Sequence, residues 1–138
     1  MVSCIGDKVV EDVKNAKVFM VGAGAIGGEL LKNFAMLGIG TGSDGSVTLT
    51  DPDIIEVSNL NRQFLFREKH LRKPKSVTAA AAAIAMNPDL KDKVSARLDK
   101  VHKGTENIYS EEFFRGQTLV ANALDNVAAR VYIDGKCV

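Results

Sequence analysis

The chain has 138 residues, 46% hydrophobic and 25% charged, with a formal net charge of +1. These values fit one soluble domain able to bury a sizeable core, and the near-neutral balance creates no field that would draw it to nucleic acid or to an acidic membrane. No run approaches the roughly 18 apolar residues of a membrane span, and residues 1–5 lack the basic start and long apolar core of a signal peptide. Cys4 and Cys137 stand too far apart in sequence to read as a metal cluster or disulfide framework, so an intracellular, reducing setting is expected.

Residues 1–16 are expected to form a leading helix, because Ile5, Val9, Val10 and Val13 recur at near-helical spacing, and to pack beside the first strand. Residues 17–22 read as a buried parallel strand. The turn Gly22-Ala23-Gly24-Ala25-Ile26-Gly27 then opens a helix running to Gly38, with Leu30, Leu31, Phe34, Ala35 and Leu37 as its buried stripe. A glycine-rich loop over 38–45 leads to a second strand over 46–50, which closes on Asp51 and Asp53. Strand, glycine turn, helix and strand in this order are the layout of a nucleotide-binding unit. Its glycines serve the tight turn, close approach to phosphate and packing of helix on strand. A turn used only for packing is the competing reading.

Residues 53–73 show little periodicity and carry Asn59, Asn61, Arg62, Gln63, Phe64 and Phe66. A segment that long inside a compact domain points to an ordered, functional loop. A helix follows over 75–86, whose small side chains at 79–83 let it lie close to a sheet, and Asn87-Pro88-Asp89 ends it. A third strand is expected over 94–101, a short amphipathic helix within 106–115, a fourth strand over 118–121 and a last helix over 126–138. The alternation predicts a Rossmann-like α/β fold, a mostly parallel sheet with helices on both faces. Four strands leave an open edge, so the chain is expected to be part of a longer domain, truncated at its C-terminal end.

Asp51 lies 24 positions after Gly27, a spacing suited to binding ribose hydroxyls; a turn former beside Pro52 is the plainer alternative. To this point NAD and ATP read alike. Arg62 then places a planar fork for phosphate oxygens between the amides of Asn61 and Gln63, just past a strand end, where a dehydrogenase needs no second phosphate clamp. Its plain alternative is a surface arginine. Lys75 opposes the dipole at the start of its helix and is expected either to reach an anion or to be an exposed lysine placed there by chance. Asp125, at the end of strand four, suits either Mg²⁺ held with phosphates or the N-cap of the last helix. His70 and His102 read as surface residues. The basic residues Arg67, Lys69, His70, Arg72, Lys73 and Lys75 are not followed by a stacking aromatic series, so no nucleic acid is expected.

Taken together, residues 21–27, Leu30-Leu31-Lys32-Asn33-Phe34, residues 58–67 and Asn122-Ala123-Leu124-Asp125-Asn126 resemble the ubiquitin-activating enzymes. The similarity lies in their second, catalytically active adenylation half and covers about residues 17–138. The resemblance implies an adenylating-type fold in which ATP and Mg²⁺ serve to adenylate the C-terminal glycine of ubiquitin before a cysteine captures it as a thioester. It implies that Gly22, Gly24 and Gly27 form the turn under the nucleotide and that Ala25 lies beside it. Asp51, with Asp53 close by, would take the ribose, and Val101 would lie near the adenine. Arg62 and Lys75, supported by Asn59 and Gln63, would hold the phosphates, with Asp125 and Asn126 at the metal and nucleotide. Arg62, Lys75 and Asp125 are thus the catalytic candidates.

The implied partners are ubiquitin, the inactive adenylation half of the same protein and, through other domains, ubiquitin-conjugating enzymes, in cytoplasm and nucleus; no membrane is implied. Gly28 and Ala128 depart from the family's usual cysteine and aspartate. Cys137 is expected to pack in the core and not to be the thioester nucleophile. An NAD-dependent oxidoreductase, an activating enzyme for another ubiquitin-like modifier and a non-catalytic scaffold remain the alternatives.

Overall fold

Val18-Phe19-Met20-Val21 contains no polar position, and a strand with two apolar faces must be covered on both. The computed structural model, which describes residues 6–63 and 66–138, satisfies that requirement. Cys4 and the first five positions of the leading helix, and Phe64 in the central loop, lie outside the described residues. Strand β1 (Lys17–Val21) pairs in parallel with β2 (Ser46–Thr50) on one side and β4 (Leu119–Asn122) on the other, and β3 (Val94–Arg97) extends the sheet beyond β2. The order is β3-β2-β1-β4, with Val18 opposite both Val47 and Leu119.

The two-residue period of β1 sorts the core into layers. Val18 and Met20, with Val47, Leu49 and Ala121, meet helices α2 (Ala25–Leu37) and α3 (Lys75–Met86) through Leu31, Ala35, Ala79 and Ala83. Phe19 and Val21 point to the opposite face, where α4 (Glu111–Arg115) and α5 (Val127–Cys137) supply Phe114 and Ile133. There Phe19 stacks on Tyr109 at 5.2 Å and meets Phe113 edge-on at 4.8 Å, geometries suited to the ring quadrupole. This is the doubly covered, parallel sheet expected from the alternation.

Several local expectations need correction. In α2 the buried side is Gly27, Gly28, Leu31 and Ala35, whereas Leu37 is half exposed as the helix ends on left-handed Gly38. Helix α1 (Asp7–Lys14) buries no residue against β1. Backbone holds it instead: Gly40 N–H donates to the Val13 carbonyl and Gly42 N–H to that of Lys14. Strand β3 stops at Arg97, four residues before the expected end, and β4 is shifted one residue onward from 118–121. Cys137 is exposed because it falls in the last turn of α5, where Ile133 supplies the buried contact.

Helix α5 is pinned through its surface. Glu106 accepts a hydrogen bond from the Tyr132 hydroxyl at 3.1 Å and lies 3.2 Å from the Lys136 ammonium. The hydrogen bonds from Lys136 and Tyr132 hold the Glu106 carboxyl below its ordinary value, and Glu106 in turn raises Lys136. A depressed carboxyl contributes stability that is present above its unfolded value and is lost as pH falls through the folded one. Protection of the α5 amides, corrected for the intrinsic exchange rate, should therefore fall as pH drops below the usual carboxylate range, and Glu106→Gln should remove that step. In the core, Phe19→Ala is expected to cost about 3–5 kcal/mol in urea unfolding, since it deletes the ring shared by the aromatic cluster.

Candidate functional site

The connections leave β1 toward β2 on one side and β4 on the other, which opens a crevice beyond the carboxyl ends of the strands. The resulting cleft of about 860 Å³ is lined by Gly22, Gly24, Ala25, Asp51, Asp53, Asn59, Arg62, Gln63, Lys75, Val101, Asp125 and Asn126. Of the residues proposed from sequence, only Gly27 does not line it. Gly27 lies behind the turn: a Cβ there would come within 2.1 Å of the Gly22 carbonyl oxygen, so it lets α2 sit on the turn. Gly22 itself has φ +103°, and a Cβ on it would stand 2.7 Å from the Ala123 carbonyl.

Asp51 is buried at the end of β2, and its two oxygens are divided between two segments. Oδ2 accepts from Ala23 N–H in the glycine turn at 2.7 Å, and Oδ1 accepts from Asp53 N–H at 2.8 Å. The turn-forming role and a role at the cleft are therefore combined in one side chain. Asp53 N–H is thus directed inward while its exposed carboxylate stands 3.9 Å from the ammonium of Lys75, whose side chain is only 10% exposed. The anion that Lys75 meets is the chain's own.

The central loop is tied to the body at both ends. Ile54 bridges Pro74 in antiparallel fashion, and Ile55 exchanges backbone hydrogen bonds with Arg72 and Lys73. Between these points Asn59 is buried. Its Oδ1 accepts from Glu56 N–H, and its carbonyl accepts from the N–H groups of Arg62 and Gln63. That turn presents the exposed Arg62 guanidinium to the cleft, and Arg62 makes no ion pair among the described residues. Gln63 is 5% exposed, and its buried Oε1 has no hydrogen-bond partner there. His70 and His102 each use Nδ1 to accept a local backbone N–H, from Arg67 and Gly104.

At the other wall, Asn126 caps α5: its Oδ1 accepts from Ala129 N–H at 3.1 Å. Of the two roles open to Asp125, the cap therefore falls to its neighbour, and Asp125 is left exposed at the cleft without an ion pair among the described residues. No group of three or more metal-binding side chains occurs among the described residues. A second cavity of about 650 Å³, between α4, β4 and α5, holds Cys137 and none of the proposed site residues.

Sequence reasoning missed Thr50, Asp99 and Tyr109. Thr50 and Asp99 line the cleft, and the Thr50 hydroxyl donates to the Asp99 carbonyl at 2.6 Å. The Tyr109 hydroxyl donates to Asp99 Oδ2 at 3.0 Å. Burial pushes the Tyr109 phenol above its ordinary value. The available signal was positional: Asp99 follows a strand end, but an expected strand running to Val101 concealed it.

A family model described as the ThiF family matches residues 1–138. The chain belongs to the ThiF family. Among ThiF-related proteins it is 56% identical over 136 residues to ubiquitin-like modifier-activating enzyme 6 of Mus musculus, covering 98% of this chain and 13% of that protein. It is 53% identical over 137 residues to human ubiquitin-like modifier-activating enzyme 1, covering 99% and 13%. The chain thus spans about 13% of the length of these relatives, whose names agree with the resemblance read from the motifs. A crystal structure of the E. coli tRNA N6-threonylcarbamoyladenosine dehydratase in complex with AMP matches with a TM-score of 0.83 at 25% identity, over 99% of this chain and 52% of that one. The same enzyme in complex with ATP matches at 0.77 and 26% identity, over 91% and 48%. The ThiF sheet and cleft follow from the same βαβ start.

Hydrogen bonds to a charged acceptor contribute about 1.5–3 kcal/mol each, so Asp51→Ala should lower unfolding free energy by about 3 kcal/mol in the absence of any nucleotide. Chemical denaturation of the two proteins measures it, and a loss below about 1 kcal/mol would show that the turn does not depend on this carboxylate.

Proposed function

We propose that the cleft binds ATP with Mg²⁺ and that the chain forms the active adenylation half of a ubiquitin-activating enzyme. The observation that carries this reading is the convergence of Arg62, Lys75 and Asp125 on the glycine-turn cleft. A guanidinium fork and an ammonium beside the N-terminus of α2 suit a chain of phosphates better than a single bridging pyrophosphate. High identity to named ubiquitin-like modifier-activating enzymes supports the choice of substrate class. The ATP and AMP complexes of the fold relative support the choice of nucleotide.

In the proposed reaction a carboxylate oxygen of ubiquitin's C-terminal glycine attacks the α-phosphorus of ATP. The new O–P bond forms as the bond to the bridging oxygen breaks, leaving an acyl adenylate and pyrophosphate. That nucleophile is already ionised at neutral pH, so no general base is required. Alignment and charge compensation are what the chain must provide. Arg62 and Lys75 hold phosphate oxygens, with Asn59 shaping the turn and Gln63 beside it. Asp51 and Asp53 border the ribose, and Val101 gives the base an apolar wall.

The cleft carries five carboxylates, Asp51, Asp53, Glu56, Asp99 and Asp125, against the three cations Arg62, Lys75 and Lys100. A polyphosphate entering beside Asp125 therefore needs a counter-ion. Mg²⁺ fits, because it takes one or two carboxylates together with phosphate oxygens, and Asp125 is exposed and uncommitted to the helix cap. When bound, the ion supplies charge neutralisation to the phosphates.

Thioester capture belongs to another cysteine. Cys137 lies exposed in the last turn of α5, and partial desolvation together with Asp134 raises its thiol above the ordinary value, opposite to the lowering that activates a nucleophilic thiol. The reading assigns ubiquitin as the substrate, an inactive adenylation half as the structural partner, conjugating enzymes as partners of other domains, and a cytoplasmic and nuclear setting.

Pyrophosphate exchange in the full-length protein tests it. Labelled pyrophosphate should enter ATP only when ubiquitin is present, and Arg62→Ala and Asp125→Ala should each lower the rate by at least about 100-fold, the scale of one transition-state charge contact. Wild-type rates in both variants would remove the site assignment, and tight binding of NAD without ATP would replace the reaction.

A further inference from the structure

The wall opposite the phosphate-binding groups has a chemistry of its own. A nucleotide whose phosphates rest on Arg62, Lys75 and the start of α2 extends its base toward the ends of β2 and β3. There Thr50, Asp99, Lys100 and the buried Val101 line the cleft. Val101 offers a surface for one face of a ring. Asp99 offers hydrogen-bond acceptors, and it is held at two points. Its carbonyl accepts from Thr50 at the end of β2, and its Oδ2 accepts from the hydroxyl of Tyr109.

Tyr109 is 1% exposed and cannot shift freely, because Phe19 stacks on one face and Phe113 closes on it edge-on, with the Arg97 guanidinium 5.5 Å from its ring centre. Its phenol thus reaches from the aromatic core to the cleft, where Asp99 Oδ2 at 3.0 Å is a nearer acceptor than Thr50 Oγ1 at 3.4 Å. Oδ1 of Asp99 has no partner among the described residues. An ionised carboxylate is an acceptor only. Tyr109 thereby fixes the direction of Oδ2, and Oδ1 keeps its acceptor positions open.

We propose that Asp99 recognises the exocyclic 6-amino group of adenine, with Tyr109 as the positioning residue that holds its carboxylate in one orientation for that purpose. This rests on the reading of the cleft as an ATP site and adds the determinant of base choice. An acceptor oxygen held in one orientation matches the lone amino donor of adenine. Guanine presents a 6-carbonyl at that edge, an acceptor against an acceptor. Its adjacent N1–H and 2-amino donors call for both carboxylate oxygens turned edge-on at once, and the Tyr109 hydrogen bond draws one of them toward the phenol instead.

The test is equilibrium binding to the full-length protein of three probes: ATP, GTP and purine riboside triphosphate, which lacks the 6-amino group. One charge-assisted hydrogen bond sets the expected scale, about tenfold or more in Kd. Wild-type protein should prefer ATP over the purine analogue by that factor. Asp99→Ala should weaken ATP alone and equalise the two. Tyr109→Phe keeps the ring packing and so reports even where the alanine variant folds poorly. It should narrow the ATP preference over both the purine analogue and GTP, with little change in the affinity of the analogue.

Equal losses for ATP and the analogue would mean that Asp99 acts through the ribose or the fold, and would overturn the inference while leaving the ATP site standing. So would a wild-type protein that fails to distinguish the two. A wild-type protein that binds none of the three would remove the ATP reading itself, and this inference with it.

Discussion

The carboxylate of Asp51 is the interaction on which the cleft depends. It joins the glycine turn, 28 positions earlier in sequence, to the end of β2 and to the start of the loop that carries Arg62. Both bonds are to backbone N–H groups, so the joint fixes main chain and leaves side chains free to face the ligand. A buried anion with two such donors is also largely compensated. Its negative charge therefore opposes an incoming phosphate less than its position suggests.

The second constraint is the full covering of β1. Because its residues alternate between two apolar layers, each half of the core is connected to a different wall of the cleft. The layer with α2 and α3 supports the glycine turn and Lys75. The layer with α4 and α5 supports Tyr109, and through it Asp99. Fold and site are not separate parts joined at a surface; the aromatic cluster around Phe19 ends in a hydroxyl that orders a cleft residue.

What the sequence made legible was what local chemistry decides. The apolar run at 18–21, the glycine turn and the long central loop each announce themselves within a short window, and they placed most of the cleft-lining residues. Contacts made at a distance left no such trace. The Tyr109 hydroxyl meets Asp99, 10 positions away, only because β3 stops at Arg97 and the chain turns back; an expected strand through Val101 hid the pair. Helix α1 shows the converse error. Its apolar spacing suggested a packed face, yet bonds from the glycine-rich loop to its last carbonyls hold it in place. The last helix was placed correctly while the side of it that carries Cys137 was not, since α5 has little apolar contrast around its circumference and its orientation is set by Ile133 in the core and by Tyr132 and Lys136 on Glu106.

The position of β1 between β2 and β4 also governs the order in which the molecule can assemble. β1 and β2 are joined by one helix and pair across a short separation, but the hydrogen bond from Lys17 N–H to the Thr118 hydroxyl spans 101 positions. Closing a loop of that length costs more entropy than zipping a neighbouring strand, which favours the β1–α2–β2 unit over the β1–β4 pair as the earlier contact. On that ordering the glycine turn has its strand partner before Asn122-Ala123-Leu124-Asp125-Asn126 comes beside it, and the completed cleft depends on the pairing of longest range in the sheet.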